Sequence, residues 1–178
     1  MLTLNFNKMN TATTKLYSMD YRQARTYVLA TLFVLGNIAL PQLCHLMPNG
    51  GHIWLPIYFF TLVAAYKYGW RVGLLTAVLS PVMNSLLFGM PAAAALPVIL
   101  VKSVTLAAVA AMVARRTGRV TLAALVAVVL THQVIGSLAE CLIDGSWMAG
   151  LADWRMGIPG MLLQIVGGYA VLKYVLNK

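Results

Sequence analysis

The sequence predicts an all-α integral membrane protein, six transmembrane helices in one bundle with both termini in the cytoplasm. Three observations predict it. Hydrophobic residues make up 61% of the 178 and charged residues only 10%, against about 25% charged in soluble domains. Too few charges exist to coat a water-soluble core, so the apolar surface must face lipid. Six apolar runs approach the roughly 20 residues that a spanning helix requires. The segments between those runs alternate between basic and non-basic, the pattern left when Lys and Arg are retained on the cytoplasmic side.

Residues 1–24 form a polar N-terminal segment, read as cytoplasmic, with a surface stretch around Leu16–Tyr21. It is not a cleavable signal peptide, because the first apolar run does not end at a small-residue cleavage site. Residues 25–178 form one transmembrane domain, undivided by any Gly/Ser linker, charge run or repeat. Its apolar runs are Tyr27–Leu46, Ile53–Tyr66, Val72–Phe88, Ala92–Ala114, Val120–Ile143 and Ile158–Leu176. The second is about 14 residues long, short enough to be tilted, tucked among its neighbours or partly interfacial.

Loop charges orient the bundle. Lys8, Lys15, Arg22 and Arg25 precede or open the first run; Lys67 and Arg71 lie in the third segment; Arg115, Arg116 and Arg119 lie in the fifth; Lys173 and Lys178 end the chain. The connection around Pro48-Asn49-Gly50-Gly51 and the one around Gly89-Met90-Pro91 have no Lys or Arg, and the sixth segment holds Asp144, Asp153 and a lone Arg155. This puts the protein in the cytoplasmic (inner) membrane as a multi-pass chain. The net charge of +9 anchors the inner face, and its distribution between apolar runs argues against a nucleic-acid partner.

The outer connections collect Pro, Gly, His and aromatic residues: His45, Pro48, His52, Trp54, Pro56, Trp147 and Trp154. They suit either a cavity wall or the ordinary aromatic belt at headgroup level. Cys44 and Cys141 end apolar segments, as apolar fillers or as one outer disulfide.

Polar groups at membrane depth turn inward to a partner or a cavity. Thr76, Ser80 and Asn84 share a face at i, i+4, i+8, with Pro81 beside them. His132, Gln133, Gly136 and Glu140 fall within about 100° of arc. Gly160, Gln164, Gly167 and Gly168 form a small-residue face bearing one amide. Helix packing explains small residues and amides of this kind; ligand recognition is the other explanation. Lys102 is placed near mid-membrane, where an ammonium needs an acceptor, water or a ligand anion. Glu140, six turns from Arg119, is nearer the outer surface, which argues against a direct Lys102–Glu140 pair.

No GxxxxGK[ST], HExxH, GxSxG or CxxC occurs, so the sequence offers no P-loop, zincin, hydrolase or thiol-redox chemistry. His45 and His132 have no second ligand at helical spacing. The expectation is a non-enzyme with no metal or cofactor.

The stretch His52–Arg116 carries Leu55-Pro56, Tyr68-Gly69 through Gly73, Ser80-Pro81 and Gly89-Met90-Pro91. In these motifs, in length and in helix count the chain resembles the substrate-binding S components of energy-coupling factor (ECF) transporters. The resemblance implies a vitamin or related micronutrient bound among the outer helix ends, with a membrane T component and two cytoplasmic ATPases supplying energy. It implies partner contact through small residues on the first helix, where the family's Ala-x-x-x-Ala is replaced by Thr26-x-x-x-Ala30. For substrate, the expected roles are Trp54 and Tyr58 for stacking, Asn84 and Gln133 for hydrogen bonding, and Lys102 or Glu140 for charge. A structural or assembly subunit of a membrane complex, and a solitary ion- or proton-coupled transporter, are the alternatives.

Overall fold

The computed structural model describes residues 15–145 and 147–176. Lys8, Lys178 and the side chains of Asp144 and Asp153 lie outside the described residues. The described residues are 81% helical, with no strand among them. The helices are α1 Ala24–Cys44, α2 Gly50–Trp54, α3 Phe59–Tyr68, α4 Trp70–Phe88, α5 Leu96–Thr117, α6 Leu122–Asp144 and α7 Trp147–Leu162. A 3₁₀ turn, Pro56–Tyr58, leads into α3, and α7 continues through π-helical turns Leu163–Gly167 and Val171–Val175 on either side of Gly168–Ala170.

Five described helices are long and apolar enough to cross a membrane: α1, α4, α5, α6 and the Trp154–Val175 portion of α7 with its continuation. The expected second span is broken. Pro56 has no N–H and disfavours helix in the residue before it, and Leu55 takes a left-handed conformation with φ 46°. From Pro56 to Tyr68 the chain rises only about 20 Å, short of the ~30 Å hydrocarbon core. What makes so short a helix tenable is its position. Leu62, Val63, Ala64 and Ala65 are fully buried, and α3 packs against α1, α4 and α5. Its backbone meets protein, not lipid, as non-spanning structure at membrane depth must.

The sixth connection also differs from expectation. Gly145, with φ 65°, ends α6, and α7 already begins at Trp147, so the anticipated outer loop is mostly helix. Hydropathy misses this because Asp153, Arg155 and Gly157 dilute the apolar signal without forbidding helix. Pro159 lies inside α7, Pro41 inside α1 and Pro81 inside α4, and none ends its helix.

Close backbone approaches fix how the helices run. A Cβ on Gly160 would lie 2.5 Å from the Trp54 carbonyl carbon, one on Gly167 would meet the Phe59 ring, and one on Gly168 would meet Leu62. The end of α7 therefore runs in the same direction as α3. Tyr66 Oη donates to the Arg119 carbonyl at 2.9 Å, which brings the α3–α4 corner beside the α5–α6 corner. The same end of the bundle thus gathers Lys15, Arg22, Arg25, Lys67, Arg71, Arg115, Arg116, Arg119 and Lys173.

Residues ahead of α1 strap across that end. Tyr17 N–H donates to the Lys67 carbonyl (2.8 Å) and Met19 N–H to the Tyr68 carbonyl (3.2 Å). These bonds satisfy carbonyls that the end of α3 leaves open. Arg71 donates to the Met19 carbonyl at 3.0 Å and pairs with Asp20 at 3.3 Å. Met19 inserts among Ala30, Ala64 and Val72.

Candidate functional site

Most buried polar groups among the described residues fall into two groups. The first joins α1, α3 and α4. Asn37, fully buried, donates through Nδ2 to Thr61 Oγ1 at 3.0 Å and to Ser80 Oγ at 3.1 Å. Its Oδ1 accepts from the Phe60 N–H at 3.1 Å. Asn84 Nδ2 donates to the carbonyls of Asn37 and Ser80, both at 2.9 Å. Helical spacing places Thr76, Ser80 and Asn84 on one face, and all three are buried. The structure thus ties the Asn84 amide nitrogen into a network between helices, while its Oδ1 is buried without a hydrogen-bond partner among the described residues. Asn37, its centre, was not singled out in the sequence. Its signal is a carboxamide near the middle of the apolar run of α1, one of two there with Gln42.

The second assembly lies toward the end opposite the basic residues and joins α5, α6, α7 and the turn before α3. Lys102 and Glu140 form an ion pair at 2.5 Å, with side-chain exposures of 4% and 16%. This corrects the expectation that they stay apart. The starting point of α5 explains it. The helix begins at Leu96, so Lys102 is about two turns from its end rather than near mid-membrane. Helices α5 and α6 are antiparallel about the connection between Thr117 and Leu122, so Lys102 and Glu140, counted from those helix ends, are offset by about one turn. A lysine stem spans that offset. Gly136 makes the route: a Cβ there would lie 2.6 Å from Lys102 Cγ and 3.2 Å from Cε.

One turn below Gly136, His132 and Gln133 are buried. The His132 ring meets the Tyr58 ring edge-on at 5.6 Å, and its Nδ1 lies 2.9 Å from the Val129 carbonyl oxygen. Tyr58 is 4% exposed, with its ring packed in the assembly. Trp54 is half-buried at the end of α2, its backbone against Gly160. Trp154 Nε1 donates to Ser137 Oγ at 2.9 Å, tying α7 to α6.

Gln164 lies between Gly160, which is level with Trp54, and Gly167, which is level with Phe59; it is therefore near the height of Tyr58. It is fully buried, and neither its amide nitrogen nor its amide oxygen has a hydrogen-bond partner among the described residues. Ser103 Oγ, beside Lys102, is in the same condition. Each such group costs roughly 1–3 kcal/mol when left unsatisfied. Gln164 also occupies a π-helical turn, a distortion frequent at functional sites. Sequence spacing noticed this amide but did not rank it with the substrate residues.

The structure therefore brings Tyr58, Lys102, Gln133 and Glu140 into one assembly with Trp54 at its edge, adds His132 and Gln164, and ties the Asn84 amide nitrogen to α1. Thr26 and Ala30 face inward: Thr26 is fully buried with Oγ1 donating to the Asp20 carbonyl at 2.5 Å, and Ala30 is covered by Met19. Neither presents a surface to a partner in this conformation. Cys44 and Cys141 are free thiols. Among the described residues no group of three or more His, Cys, Asp or Glu is placed to hold a metal ion. Comparison with family models, curated proteins and solved structures gives no match to this chain.

Proposed function

We propose that this chain is the membrane-embedded substrate-binding subunit of an ECF-type uptake system for a vitamin or related micronutrient. In this reading it is a six-segment bundle of the cytoplasmic membrane with its basic end inside. The observation that carries it is the α5–α6–α7 assembly. A fully buried carboxamide with no hydrogen-bond partner among the described residues and a buried ion pair lie toward the end away from the basic residues. Helix packing alone does not reward such groups, whereas a polar ligand does. Because Lys102 and Glu140 offset each other, the site suits a ligand that is neutral or zwitterionic in the part it presents there. Gln133 and Gln164 supply hydrogen bonds, and Tyr58 and Trp54 the aromatic wall.

The short α2 and the left-handed Leu55 act as the cover. Capture at the outer face is followed by release inside with a T component and its two ATPases. With Thr26 and Ala30 turned inward, the partner helix meets Val28, Leu32 and Leu35, which are exposed on α1.

A thermal-shift panel of vitamins and their precursors on the detergent-purified full chain tests the reading. One compound raises the unfolding temperature of the wild type and has little effect on Gln164→Leu. A panel without any stabilising compound, together with no pull-down of a co-expressed T component and ATPases, removes the proposal.

A further inference from the structure

We infer that the strap and the α3–α4 corner form a binding site for a phosphate anion, built from Lys15, Lys67 and the Tyr17 ring. The basic charge at this end is not balanced by acids of the chain. Nine described Lys and Arg residues collect there, while the whole chain has four acids. Of these, Glu140 is paired at the opposite end, where Asp144 and Asp153 also lie in sequence, close to the end of α6 and the start of α7. Only Asp20 serves the basic end, and it is paired with Arg71.

Lys67 feels the deficit most. The residue is 2% exposed, and it forms no ion pair among the described residues. Residues 1–14 contain no Asp or Glu that could supply one. Its ammonium lies over the Tyr17 ring at 5.4 Å, and the Lys15 ammonium lies over the same ring at 5.4 Å. Two like charges are thus held against one aromatic ring, which attracts each only modestly. Burial, and after it the Lys15 charge, push Lys67 below the ordinary lysine pKa. An anion between the ammonium groups would relieve both effects.

The site is built rather than incidental. Tyr17 stacks on Tyr68 at 5.8 Å and 15°, and the strap is pinned by the Tyr17 N–H to the Lys67 carbonyl. Gly69 lets the strap approach: a Cβ there would lie 3.2 Å from the Tyr17 carbonyl oxygen. Anionic lipid headgroups and free phosphate share the required chemistry, and a basic cluster at a membrane surface gains about 1 kcal/mol per Lys or Arg from anionic lipid.

The test uses the full chain in detergent and native mass spectrometry, titrating phosphatidylglycerol, phosphatidylcholine and inorganic phosphate in separate arms. Phosphatidylglycerol is retained in preference to phosphatidylcholine, and Lys15→Gln with Lys67→Met weakens retention about tenfold or more. Arg116→Gln removes one charge from the same end and weakens retention by no more than about fivefold, the share of a single surface cation. Inorganic phosphate that binds and competes identifies free phosphate as the source, and also supports the site. Should Lys67→Met fail to fold, Lys15→Gln, an exposed position, carries the comparison alone. Equal loss with Arg116→Gln, or no preference for either anion over phosphatidylcholine, overturns the inference.

Discussion

Gly136→Ala should change the sign of its effect according to what occupies position 102. In the wild-type protein the added Cβ falls 2.6 Å from Lys102 Cγ and 3.3 Å from Cδ, so the stem must leave the groove and carry Nζ away from Glu140. Removing one member of a buried pair costs about 3–5 kcal/mol. Glu140 retains 16% exposure, so water recovers part of that, and Lys102→Met should cost about 2–3 kcal/mol. Gly136→Ala shifts the stem without deleting it, for an expected loss of about 1–3 kcal/mol. With Lys102→Ala the groove is open, and the same substitution should stabilise by up to about 1 kcal/mol through helix propensity. The assay is equilibrium unfolding of all four proteins in one detergent, followed by circular dichroism. Stabilisation by Gly136→Ala in both backgrounds would refute the packing of the Lys102 stem over Gly136.

Other outcomes follow from the same coordinates. Lys102→Met combined with Glu140→Gln should be less destabilising than the sum of the two single changes by about 2 kcal/mol, and simple additivity in the unfolding data would deny the coupling. Asn37→Leu should cost about 2–4 kcal/mol, because it strands the Phe60 N–H and removes the donor to the Ser80 and Thr61 hydroxyl oxygens; it should exceed the cost of Asn84→Leu in the same assay. Gly160→Val should lift α2 from α7, since its Cβ would press on the Trp54 backbone. With the other three Trp replaced by Phe, Trp54 emission should then shift to longer wavelength. Intact mass after maleimide labelling should show two reactive thiols without reductant, Cys141 reacting before the 8%-exposed Cys44.

What the sequence displays best is what lipid enforces. Long apolar runs forecast α1, α4, α5 and α6 to within a few residues, because a spanning helix has to satisfy its own backbone and show lipid an apolar surface. The break at Leu55 was less visible. Pro56 announced a possible stop, but only the surrounding protein makes a half-length α3 tolerable. The early start of α7 was hidden for the opposite reason: hydropathy reports exposure to lipid, while Trp147–Asp153 is helical irrespective of it.

The site was legible residue by residue and poorly legible as pairs. Periodicity put His132, Gln133, Gly136 and Glu140 on one face of α6, and all are buried or half-buried there. The ion pair to Lys102 depended on where α5 begins, and a four-residue error at Ala92 was enough to separate the partners. Asn84 looked equivalent to Gln133, yet α1 supplies Asn37 to engage it, and nothing in the spacing along α4 encodes that neighbour. The burial of Thr26 and Ala30 is equally hidden in the sequence, since the strap that covers them approaches from outside their own helix.

Substrate capture is tested most directly by native mass spectrometry of the full chain purified in mild detergent from its native membranes. The proposed function predicts one small organic molecule bound per chain, lost on Gln164→Leu and on Gln133→Leu while both variants stay monodisperse. Wild-type protein that carries no small molecule, or one that both variants retain undiminished, would contradict it.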